Sequence, residues 1–209
     1  SSSSSSAAAA AAVAGDGQAA LAEAMASLEV VALACFEAWC RREEVPARAA
    51  LERFGDVETG AAAPRAGTKS KSVLNLYNYF NEEACEEAPC REHADPGLLT
   101  VLCRSSNAAL QVRFPLRPGG SPGKAAEYED VWRDVESEMD RHGSQDSSGD
   151  IVLLVVVGET LERLSAGTFP SCRHRVARCQ GLRFNMAYEL RPRMSVFHPW
   201  ATLVSGAGG

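Results

Sequence analysis

The sequence predicts a mainly β domain backed by a helical N-terminal segment. Six short aliphatic or aromatic runs are separated by turn-forming residues, the pattern of a β-barrel or sandwich core. One apolar stripe at helical spacing precedes them. The length of 209 residues suits one domain with a sizeable core. A hydrophobic fraction of 45% and a charged fraction of 23% are those of an ordinary globular protein.

Residues 1–20 open on Ser1–Ser6 and Ala7–Ala12 and have no initiator Met. This low-complexity stretch is expected to be a disordered tail or a start within a longer polypeptide. A helical support and loop are expected over 21–68. Leu21, Met25, Leu28, Ala32, Cys35, Phe36 and Trp39 fall at three- and four-residue steps, and Pro46 ends or restarts the helix before Leu51–Phe54. Gly60–Thr68 is a loop. The β core occupies 69–200, with strands over Ser72–Phe80, Leu98–Cys103, Ala108–Phe114, Ile151–Val157, Arg173–Ala177 and Leu182–Leu190. Arg178–Gly181 is expected to be a hairpin turn joining the last two. Residues 115–149 form a polar, Gly-, Ser- and acid-rich insertion, either a lid or a solvated excursion. Within it, Glu127–Arg141 reads as a short helix and Trp132–Val135 equally as an edge strand. Residues 201–209 are a C-terminal tail.

A net charge of −6 gives no support for nucleic acid as a partner. Arg173, Arg175, Arg178, Arg183, Arg191 and Arg193 nevertheless crowd the C-terminal part, either as a solvated basic face or as a pocket for carboxylates. Seven cysteines without a CxxC pair fit reduced thiols better than a disulfide framework. The longest uninterrupted apolar run is about seven residues, against about twenty for a bilayer span. A monomeric, cytoplasmic protein without membrane association is expected.

The pattern richest in chemistry is His93-Ala94-Asp95, answered by His174. Two imidazoles and one carboxylate form the facial triad of non-haem iron sites, which leaves positions open for other ligands. If residues 93–95 are extended, His93 and Asp95 share a strand face, and His174 must come from another strand. His142 and His198 have no partner at ligand spacing and are expected to be solvated or structural.

The segment Gly158–Phe169 leads into Ser171-Cys172-Arg173-His174-Arg175-Val176. It closely resembles the distal metal motif of the plant-type, isopenicillin N synthase-like Fe(II)/2-oxoglutarate oxygenases. His93–Thr100 resembles the proximal His-x-Asp block of that family, and Leu110-Gln111-Val112 its following strand. The matches run in order from about Ser72 to Leu190, more than half the chain. The resemblance implies a double-stranded β-helix, or jelly roll, with Fe(II) held by His93, Asp95 and His174. It further implies 2-oxoglutarate and O₂ as cosubstrates and Arg183 as the ligand of the outer carboxylate, a role suited to a planar guanidinium fork. Asn185 stands where the family usually has Ser, and Tyr77 falls on an Asn-x-Tyr strand whose hydroxyl reaches the cosubstrate. Tyr77 reads equally as a core aromatic with a wet tip. The activity implied is hydroxylation or desaturation of a small molecule with release of succinate and CO₂. The alternative is a truncated, non-catalytic binding module of the same family.

Overall fold

Two four-stranded antiparallel sheets share one apolar interior, and a long helix backs one of them. The computed structural model describes residues 2–54, 72–79, 88–116, 127–143 and 151–192. Helices α1 (Ser2–Arg42) and α2 (Ala47–Phe54) precede β1 (Val73–Tyr79), β2 (Cys90–His93), β3 (Leu99–Cys103) and β4 (Leu110–Arg113). Then come β5 (Arg133–Asp134), α3 (Val135–Gly143), β6 (Leu153–Val157), α4 (Glu159–Leu164), β7 (Arg173–Val176) and β8 (Arg183–Leu190). One sheet has the order β1-β8-β3-β6 and the other β2-β7-β4-β5.

The alternation of β8 shows how sequence produces the layers. Arg183, Asn185, Ala187 and Glu189 face the space between the sheets, whereas Tyr188 and Leu190 turn outward beneath α1. There Leu28, Ala32, Phe36 and Cys40, spaced at four residues, bury one stripe of α1 against Leu99, Val101, Tyr188 and Leu190. The Tyr188 hydroxyl donates to Glu29 at 3.0 Å, and Trp39 stacks on Phe169 with ring centroids 5.8 Å apart. Leu102, Leu110, Val112, Val156, Val176 and Ala187 fill the interior between the sheets.

Several expectations change. Helix α1 reaches back to Ser2, where the composition predicts a disordered tail; its alanine run has the highest intrinsic helix propensity. Leu21, the first member of the expected stripe, is exposed because it lies beyond the sheet that α1 covers. Asp16–Arg42 is long and apolar enough to cross a membrane by length and composition, although no uninterrupted apolar run is. Arg178–Gly181 is not a hairpin turn: β7 pairs with β2 and β4, β8 with β1 and β3, so this turn carries the chain from one sheet to the other. Gly181 takes φ +78° there, a conformation that glycine adopts without steric cost.

The insertion contains both alternatives, an edge strand and a helix. Asp134 joins them by capping α3, its carboxylate accepting from the backbone N–H and hydroxyl of Ser137 at 3.1 and 3.0 Å. Val135, Glu136 and Met139 are buried, so residues 127–143 are part of the packed structure rather than a solvated excursion. The rest of the insertion, residues 117–126 and 144–149, lies outside the described residues, as do Gly60–Thr68, Arg193, His198, residues 201–209 and the side chain of His142.

The turn after β2 is stapled to the start of α4. The N–H of Glu159 donates to Asp95 O at 2.8 Å, that of Gly158 to Leu98 O at 3.0 Å and that of Thr160 to Gly97 O at 3.1 Å. The Thr160 hydroxyl adds a bond to Pro96 O at 2.6 Å. The close approach requires glycine, since a Cβ on Gly158 would lie 2.2 Å from Gly97 O. Gly158→Ala is therefore expected to lower stability by about 1–3 kcal/mol in urea unfolding. Gly17→Ala, in open space on α1, should be neutral or stabilising by up to about 1 kcal/mol.

Candidate metal centre

His93 and His174 are direct cross-strand partners at the end of the β2–β7 pair, with ring centroids 4.2 Å apart. Asp95 does not share a strand with His93. Strand β2 ends at His93 after a break in register, and Asp95 lies in the stapled turn, so no alternation along a strand aims it. The three side chains still converge. Asp95 Oδ1 is 3.6 Å from Nε2 of each histidine, and one ligand atom from each residue lies within 4.8 Å of the others.

Each imidazole is oriented from behind. His93 Nδ1 meets Arg91 O at 2.9 Å, and His174 Nδ1 meets Cys172 O at 3.1 Å. A carbonyl only accepts, so both Nδ1 atoms carry a proton and both Nε2 atoms turn towards Asp95. Outer contacts of this kind fix the tautomer of metal-binding histidines. The Thr100 hydroxyl holds the other Asp95 oxygen at 2.6 Å. Two imidazole nitrogens and a carboxylate oxygen converge on one point, where a cation can take the place of the proton that His93 otherwise shares with Asp95. The donor set fits a divalent transition metal with open positions.

Electrostatics differ across the triad. Burial opposes ionisation of Asp95, but the His93 contact, the His174 imidazole and the Thr100 bond together hold its carboxyl below the usual range. Asp95, with Cys90 second, pushes His93 up to about 10, whereas burial pushes His174 down. The triad faces a pocket between the sheets of about 540 Å³, counting its open mouth.

Arg183, Asn185 and Tyr77 all line that pocket. Arg183 is 1% exposed and carries a partner that sequence reasoning missed. Its Nη2 donates to Glu136 Oε1 and Oε2 at 3.2 and 3.4 Å, its guanidinium lies over the Tyr79 ring, and its Nε has no partner among the described residues. Glu136, from the insertion helix, also accepts from Ser105 N, Ala109 N and Leu110 N at 3.1, 2.8 and 2.9 Å and from the Ser105 hydroxyl. Only its place in the first turn of a short amphipathic helix hinted at a fixed role. Asn185 gives its amide N–H to Cys103 O at 2.7 Å. Tyr77 is half-exposed and stacks on Tyr79. Of the arginine cluster, Arg183 enters the pocket, while Arg175 leaves it to stack on Trp132, 4.2 Å from the ring centroid.

With this geometry in view, the chain is similar to a full-length protein of Neurospora crassa solved in complex with alpha-ketoglutarate, that is 2-oxoglutarate. The identity is 19% and the TM-score 0.52 over 82% of this chain and 45% of that one. The complex of the same Neurospora protein with alpha-ketoglutarate and 5-formyluracil gives 18% identity and a TM-score of 0.51 over 82% and 47%. The likeness is one of fold. The chain spans less than half the length of these structures. No protein-family model and no curated protein matches the chain.

Two outcomes test the site. His174→Ala should weaken Co(II) or Fe(II) binding by more than the roughly 10–100-fold that losing an outer hydrogen-bond partner costs, measured by anaerobic titration. Glu136 is buried, which opposes ionisation, yet the Ser105 hydroxyl, the Ala109 and Leu110 N–H groups and Arg183 hold its carboxyl below the ordinary value of 4.5. A lowered carboxyl contributes stability above its unfolded value and loses it as pH falls through the folded one. Glu136→Gln is thus expected to cost roughly 3 kcal/mol at neutral pH, and the gap should shrink below about pH 4.5 in pH-resolved urea melts.

Proposed function

We propose that this chain is the core of an Fe(II)- and 2-oxoglutarate-dependent oxygenase of the plant-type, isopenicillin N synthase-like family, acting on a small molecule. The observation that carries the reading is the convergence of His93 Nε2, His174 Nε2 and Asp95 Oδ1, with both Nδ1 atoms bound to main-chain carbonyls. The fold shared with the Neurospora crassa protein, solved with alpha-ketoglutarate, supports it. The strand orders β1-β8-β3-β6 and β2-β7-β4-β5, with the triad between the two sheets, support a double-stranded β-helix.

In this reading His93, Asp95 and His174 hold Fe(II). When bound, iron with 2-oxoglutarate and O₂ supplies oxidative decarboxylation to succinate and CO₂, coupled to oxidation of a substrate C–H bond. The chain's own residues bind and orient. Arg183 offers its unpartnered Nε to the outer carboxylate of 2-oxoglutarate, while Glu136 and the Tyr79 ring fix the guanidinium plane. Asn185, tethered to Cys103 O, and Tyr77 flank that position on β8 and β1, where they are register partners. Leu102, Leu110 and Val176 supply apolar lining between these polar groups.

A second reading, a binding module without turnover, is favoured by one observation: Glu136 already neutralises Arg183. Incubating the protein with Fe(II), 2-oxoglutarate and O₂ separates the two. The oxygenase reading predicts succinate formation even without a prime substrate, lost in His174→Ala. Arg183→Lys, which removes Nε as a donor, should raise the KM for 2-oxoglutarate roughly tenfold or more, as expected for losing a charge-assisted hydrogen bond, with metal affinity retained. Absence of succinate from metal-loaded protein leaves the binding module.

A further inference from the structure

Beyond Asn185 and Ala187, the inner face of β8 ends on Glu189, which is 4% exposed and lines the same pocket. Arg191 donates to its Oε2 through Nε at 3.0 Å and Nη2 at 2.7 Å. Its Oε1 is buried and has no hydrogen-bond partner among the described residues. A carboxylate oxygen left so is costly, and native proteins rarely tolerate one without a purpose.

The surroundings place this side chain at the metal end of the pocket, with Oε1 against Gly97. Glu189 pairs across β3 with Thr100, whose hydroxyl holds Asp95. The stapled turn makes room for it: a Cβ on Gly97 would lie 2.9 Å from both Cγ and Oε1 of Glu189. The Tyr77 phenol is pushed up by burial and then by Asp95 and Glu189, so it lies within electrostatic reach of both carboxylates. Because Arg191 balances the charge of Glu189, a neutral donor is accepted as well as a cationic one, whereas an anion meets an acceptor-only oxygen beside Asp95.

We infer that Glu189 is the substrate-anchoring residue of this pocket, its Oε1 accepting from an N–H or O–H group of a small neutral or cationic substrate and disfavouring carboxylates. The inference rests on the oxygenase reading in taking this pocket as the substrate site. It predicts affinity for donors whether or not the metal is bound.

Ligand-observed NMR titrations with benzylamine, benzamide and benzoate test it. They are run on metal-free protein and repeated on protein loaded with Zn(II) and 2-oxoglutarate. The amine and the amide should bind more tightly than benzoate. Glu189→Leu should weaken both about tenfold, the loss expected for one charge-assisted hydrogen bond. Glu189→Gln, which keeps the shape and an acceptor, should weaken benzylamine more than benzamide, and it carries the test if the leucine variant does not fold. Zn(II) affinity should be unchanged in both variants. Equal binding of the three probes, no binding of any, or preferences unaltered in the variants overturns the inference. Should the wild type bind neither Zn(II) nor 2-oxoglutarate yet keep the donor preference in metal-free form, the oxygenase reading falls and the anchoring role of Glu189 stands.

Discussion

Two imidazole nitrogens and one carboxylate oxygen are held on a common point, and the rest of the structure is arranged around that constraint. Such a cluster does not form by attraction among its members. The histidines are set by strand pairing, since His93 and His174 are register partners, and their tautomers are set by Arg91 O and Cys172 O. Asp95 is set by the backbone staple to α4 and by Thr100. Each of those hydrogen bonds contributes only about 0.5–1.5 kcal/mol net. Their common purpose is geometric: they fix a turn whose carboxylate no strand aims.

Strand β8 organises the other half of the pocket. Its inward positions carry two charged side chains, each with a counter-charge from outside the cavity. Arg183 meets Glu136 of α3, and Glu189 meets Arg191. Burying a lone charge is prohibitive, while a pair with added hydrogen bonds is tolerated. Glu136 satisfies this by accepting from three backbone N–H groups as well as Arg183. Among the described residues, each of these two side chains keeps one polar atom unpartnered, Arg183 Nε and Glu189 Oε1. The pocket thus has a donor towards one end and an acceptor towards the other, about six strand residues or roughly 20 Å of chain apart.

Much of this is legible in the sequence, and for local reasons. Aliphatic and alternating runs mark the strands, so each expected run falls within about two residues of an observed strand. Strand β2 escapes that reading because Cys90-Arg91-Glu92-His93 is polar and carries no alternation. Spacing and residue type single out His93, Asp95 and His174, and the motif resemblance singles out Arg183. What escapes otherwise is non-local. The hairpin expected at Arg178–Gly181 fails because a turn's composition does not say which sheet the next strand joins. Glu136 has the sequence context of a surface residue on a short helix, since its partners lie 26 to 47 positions away. The Gly158-Glu159-Thr160 block reads as a family signature, yet its physical role is to hold the Asp95 turn, which only the fold reveals.

The most direct test of the central claim is anaerobic titration of the Fe(II)-loaded protein with 2-oxoglutarate, followed by visible absorption. A keto acid that chelates iron through its carbonyl and carboxylate produces a metal-to-ligand charge-transfer band, and it can do so only where protein ligands leave adjacent positions open. The triad described here predicts one such band that saturates at one 2-oxoglutarate per chain and is absent in Asp95→Ala. A protein that binds iron without developing the band, or an Asp95→Ala variant that develops it unchanged, would contradict the account.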